Sequence, residues 1–131
     1  MRWLLVCWGL LLSFGAHASP VLRCNFEVNA ESYQHAFEPV SNPYTAASVD
    51  LAGRFRFKAV VLGDAQKVDV INLYVSYQTQ RQPMLMQHLK FVAPPAQINP
   101  APDSLTGRVA LYSPFLGKEL QYSCALHEVR S

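Results

Sequence analysis

From Leu22 onward, apolar and polar residues alternate with a period of two. Leu22, Cys24, Phe26 and Val28 alternate with Arg23, Asn25 and Glu27. Successive side chains of a strand point to opposite faces, so this pattern predicts a strand with one buried face. The pattern returns near the other end of the chain, where Leu120, Tyr122, Cys124 and Leu126 alternate with Gln121, Ser123 and His127. Between these two lie four further strand-like runs, at 54–62, 68–77, 84–92 and 108–112. In the first of them, Phe55, Phe57, Ala59 and Val61 share one face and Arg54, Arg56 and Lys58 the other. The turn formers Gly63 and Asp64 open a short connection to Lys67, which predicts a hairpin.

No segment carries a sustained 3.6-residue apolar repeat with caps. Short strands joined by Pro- and Gly-containing connections predict an all-β fold, a small antiparallel β-sandwich or barrel of about six to eight strands. Two connections are long. The 29–50 segment carries Pro39, Pro43 and Tyr44, and its 30–37 part suits either a short helix or an extra strand. The 93–103 segment carries Pro94, Pro95, Pro100 and Pro102, which favour an extended path outside the hydrogen-bonded ladders. Long connections in a small domain are places to look for binding.

Residues 1–18 have the pattern of a cleaved secretory signal. Arg2 precedes an apolar run from Trp3 to Leu12, and Ala16-His17-Ala18 supplies the small–x–small cleavage pattern. The run is too short to span a bilayer, and no second one follows, so no integral membrane segment is expected in the mature chain. The expected organisation is a leader, 1–18, and a single β domain, 19–131, located in the periplasm or secreted.

The leader changes the cysteine count. Losing Cys7 leaves Cys24 and Cys124, which allow only one pairing. In an oxidising compartment this predicts a disulfide joining the first and last strands. Both cysteines sit on the apolar set of their own strand, so a buried bridge is expected. Losing Arg2 leaves ten basic against nine acidic side chains, a net charge of +1. That balance provides no global attraction to nucleic acid or anionic membranes.

The candidate chemistry is sparse. Met84, Met86 and His88 alternate along one strand and are expected to share its more exposed face, with Leu85, Leu89 and Phe91 turned to the core. Two thioethers and an imidazole suit Cu(I), so copper is the possible cofactor. The Arg54, Arg56 and Lys58 stripe suits an acidic protein surface or an anionic envelope polymer. Because Phe55 and Phe57 point away from it, no aromatic platform for single-stranded nucleic acid is expected there. Tyr44 and Tyr74 are further candidates for partner contact, and Tyr112 also falls on a polar strand face.

No nucleophile–base signature or carboxylate pair marks an enzyme. His35, His88 and His127 are scattered along the chain. The expected function is therefore a small exported binding protein: an inhibitor, an immunity-type partner or an accessory subunit of the envelope. Periplasmic copper binding through Met84, Met86 and His88 is the alternative.

Overall fold

The computed structural model describes residues 18–113 and 117–130. The expected leader, apart from Ala18, lies outside the described residues. Eight strands follow in order: β1 (Ala18–Val28), β2 (Glu31–Phe37), β3 (Ser48–Leu51), β4 (Phe55–Gly63), β5 (Val68–Gln78), β6 (Pro83–Val92), β7 (Val109–Ser113) and β8 (Lys118–Arg130). They form two four-stranded antiparallel sheets, β2-β1-β8-β7 and β3-β4-β5-β6. Strand neighbours are also sequence neighbours, except that β8 closes back on β1. The fold is thus an up-and-down circuit flattened into a sandwich, with openings between β2 and β3 and between β6 and β7.

The alternation explains which faces meet. Leu22, Phe26, Val28, Leu120 and Leu126 of one sheet pack with Phe55, Phe57, Ile71, Leu73 and Val75 of the other. Phe57 sits among aromatic rings: Phe26 at 4.8 Å, Tyr122 at 5.4 Å and Phe37 at 5.8 Å between centroids. The Tyr122 hydroxyl donates to Gln87 Oε1 across the two sheets. Burial away from water pushes this phenol up to about 12.

Cys24 and Cys124 form the expected disulfide and are both fully buried. They face each other directly in the β1–β8 register, with Cα atoms 4.1 Å apart. The Cys124 N–H donates to Thr106 Oγ1 at 2.9 Å, and its carbonyl accepts from Leu105 N at 3.1 Å. Its backbone polar groups therefore point away from β1, which makes this a non-hydrogen-bonded pair, the site where opposing side chains come closest.

The 30–37 stretch forms strand β2, and β3 emerges from the end of the 29–50 connection. Asn29 and Ala30 join β1 to β2 as a two-residue turn with φ of 53° and 62°. Positive φ at both positions matches the right-handed twist of the flanking strands. The predicted β4–β5 hairpin is also present. Asp64 Oδ1 accepts from Gln66 N at 2.8 Å and Lys67 N at 2.9 Å, and these two donors hold its carboxyl below the usual range.

The two crossovers between sheets use one device. Val40 bridges β4 in parallel beyond the end of β3, with Val40 N donating to Val61 O at 2.7 Å. Gln97, in the Pro-rich segment, bridges β8 in parallel beyond β7, with Glu128 N donating to Gln97 O at 2.8 Å. Each crossover thus satisfies backbone groups that a short neighbouring strand leaves open.

Candidate functional site: the outer face of the β3–β6 sheet

Because Phe55, Phe57, Ala59 and Val61 point into the sandwich, Arg56, Lys58, Val60 and Leu62 point outward. The register then sets their neighbours. Lys58 lies opposite Tyr74, and Tyr74 lies opposite His88. One row further along, Val60, Asn72 and Lys90 stand side by side. Cations from β4 and β6 therefore flank an aromatic pair from β5 and β6.

Tyr74 and His88 are stacked, with ring centroids 4.6 Å apart and planes 3° from parallel. His88 Nε2 lies 2.9 Å from Asn72 Oδ1. An amide oxygen only accepts, so this contact selects the tautomer with its proton on Nε2. The imidazole is thus fixed on one side by a ring and on another by a hydrogen bond.

The segment before β3 folds over this face. Pro43–Thr45 is a single 3-10 turn in which Asn42 Oδ1 accepts from Tyr44 N at 3.0 Å. Proline at the first position suits the turn because no N–H is needed there. The turn covers Val60, which faces outward yet is only 5% exposed, and it leaves Tyr44 92% exposed. Between the turn and the sheet runs an open trough of about 320 Å³, floored by Val60 and Leu62 and lined by Pro43, Tyr44, Lys58 and Tyr74.

The charges on this face are mostly unneutralised. Arg56 has Asp50 as its cross-strand neighbour, and with the Gln78 amide oxygen turned toward it, Arg56 Nε and Nη2 donate at 3.1 and 3.0 Å. The one ion pair among the described residues is Lys67–Asp69, 3.7 Å, at the exposed hairpin end. Lys58 and Lys90 therefore have no carboxylate partner among the described residues. Leu85 and Val92 add exposed apolar surface on the same sheet, at 62% and 72%.

Four of the five residues expected to contact a partner, Tyr44, Arg56, Lys58 and Tyr74, are brought to this one face. The fifth, Arg54, precedes β4 in the β3–β4 turn, where its carbonyl accepts from Gln78 N at 2.8 Å. Alternation along β4 alone left the stripe without aromatic company. The aromatic groups come from neighbouring strands and from the turn, which only the register reveals.

The expected Met84, Met86 and His88 face does not form, because a β-bulge interrupts β6. Val75 pairs with Gln87 and Ser76 with Leu85, which leaves Met86 as the extra residue. The inside–outside phase slips by one at that point. Met84 Sδ accepts from the Tyr77 hydroxyl at 3.2 Å, Met86 packs against the core, and His88 faces outward on Tyr74. Leu85, expected in the core, is exposed, whereas Leu89 and Phe91 do pack against it. Among the described residues, no group of three or more His, Cys, Asp or Glu side chains could hold a metal ion.

The other two histidines stand elsewhere. His35 lies against Phe26, with centroids 5.9 Å apart, at the margin of the core. His127 lies on β8, where burial and then the Arg23 charge lower its pKa. A wider concavity of about 400 Å³ lies over the first sheet, lined by polar groups such as Asn25, Gln34, Gln121 and Ser123 together with Arg108. Its half-exposed ring, Tyr33, donates its hydroxyl to Glu31 Oε2, whereas Tyr44 on the other sheet is almost fully exposed. No family model matches the chain, and neither does any curated protein or solved structure.

Proposed function

We propose that this protein is an exported binding module of the cell envelope that engages a protein partner through the outer face of the β3–β6 sheet. The observation that carries this reading is the combination on one face of unpaired cations, Lys58 and Lys90, with a 92%-exposed tyrosine and exposed Leu85 and Val92. Tyrosine and arginine are enriched at interfaces because they bring large contact area with a polar end. Unneutralised cations beside apolar surface attract an acidic partner and fix its register. The buried disulfide is compatible with an oxidising compartment.

The test is affinity capture from envelope extract with the mature protein and with the R56E/K58E/K90E variant, circular dichroism showing both to be folded. A partner retained by the parent and lost by the variant is the expected result. Capture of the same partner by both would overturn the assignment to this face.

A further inference from the structure

We infer that the trough between Tyr44 and Tyr74 receives one apolar or aromatic side chain from an acidic peptide segment of the partner. This rests on the reading of the β3–β6 face as a contact surface and names the chemistry of what it contacts.

Three observations converge on that chemistry. The floor of the trough is aliphatic, formed by Val60 and Leu62, and its rim is Pro43 and Tyr44. A group entering it gains by leaving water, whereas a hydroxyl-rich ligand would lose its hydration against carbon. The volume, about 320 Å³, is at the small end of the range for ligand pockets, so it suits a single side chain better than a whole cofactor.

The third observation is charge. Lys58 lines the trough, and Lys90 lies in the adjacent row beyond Asn72. Neither has a carboxylate partner among the described residues, and Arg56 stands one row to the other side. Carboxylates flanking an apolar anchor would meet cations on both sides of it. An anionic polysaccharide would satisfy the cations but leave the trough unused, so the peptide is the occupant the surface favours.

The mature sequence makes the test direct, because both tryptophans, Trp3 and Trp8, fall in the leader. The probe is a five-residue peptide with tryptophan flanked by two glutamates on each side, terminally blocked, titrated into the mature protein. The expected result is a blue shift of tryptophan emission on binding, with affinity falling as salt rises. Replacing the tryptophan by alanine, Lys58→Glu, or Tyr44→Ala should each weaken binding by about tenfold or more. Tyr44 lies in an exposed turn, so its loss leaves the core intact.

No blue shift would overturn the inference. So would binding that ignores both the tryptophan and Tyr44→Ala and is displaced equally by heparin, which would make the face a general polyanion site. If capture from extract depends on Arg56, Lys58 and Lys90 while the peptide fails, the inference about the trough falls and the assignment of the contact face stands.

Discussion

The rings of Tyr74 and His88 lie parallel across β5 and β6, 4.6 Å apart, and no residue spacing within either strand would bring them together. Aromatic pairs contribute about 0.5–1.5 kcal/mol beyond their burial. This pair is on the solvent side of the sheet, so the lower end applies. A double-mutant cycle with Tyr74→Ala and His88→Ala, followed by urea unfolding, is expected to give a coupling of about 0.5 kcal/mol. Strict additivity would show that the two rings do not support one another.

The disulfide closes a loop of 100 residues. The chain-entropy account assigns about 4–5 kcal/mol to such a loop. Urea unfolding of the oxidised protein against the C24A/C124A variant should show a loss of that order, with a steeper denaturant dependence as the unfolded chain expands. A loss below about 1 kcal/mol would contradict a dominant role for the bridge.

Tyr122 makes stability sensitive to alkali. Its folded pKa, about 12, stands above the ordinary value of 10.0 because burial disfavours the phenolate. The folded state therefore holds its proton longer than the unfolded state does. The corresponding stabilisation is complete below pH 10 and is lost as pH rises toward 12. The expected decline across that window is on the order of 2–3 kcal/mol. Tyr122→Phe should flatten the decline while costing about 1–2 kcal/mol at neutral pH, because Gln87 loses its partner. An unchanged alkaline limb in the variant would assign the decline to another group.

Ala30 occupies a left-handed position, with φ of 62°, in the β1–β2 turn. Glycine takes that conformation without the Cβ penalty, although it loses more entropy on folding. The expected net gain from Ala30→Gly is about 0.5 kcal/mol, read as an upward shift of the thermal midpoint. A downward shift would mean that the entropic cost outweighs the relief.

Copper provides a check on the bulge in β6. With Met84 half-exposed beside the Tyr77 hydroxyl, Met86 packed against the core and His88 outward on Tyr74, the oxidised protein should not compete with a chromophoric chelator for Cu(I) through these three residues. Tight one-to-one binding abolished by M84L/M86L would show that β6 re-registers to bring them onto one face.

How much of this was legible in the sequence depended on the range of each signal. Period-two alternation placed Cys24 and Cys124 on the buried sets of their strands, so their pairing and burial followed from two local patterns. The hairpin at Gly63 and Asp64 carried its own turn chemistry. Asn29-Ala30 does not, since alanine rarely takes positive φ, so residues 30–37 suit a short helix or a strand although Tyr33, His35 and Phe37 alternate. The β6 bulge had no local marker: neither glycine nor proline stands at Met86 or Gln87. The candidate face was half legible. Its cations and tyrosines could be named one by one, but their adjacency depends on register, a property of strand pairs rather than of any one segment.

The closure of β8 on β1 also bears on when the molecule can come into being. Eleven residue pairs join these strands, from Ala18 opposite Arg130 to Val28 opposite Leu120. A chain synthesised from its N-terminus presents β1 long before its partner exists. During that interval Leu22, Phe26 and Val28 lack one flank of their sheet, and the Cys24 thiol waits for a mate 100 residues away. Pairing at such separation is slow, because the entropy of closing the loop is lost before any contact compensates for it. The earliest-made strand is thus completed by the last-made one, and a nascent chain cut short anywhere before β8 carries an open sheet edge and a free thiol that other chains can reach.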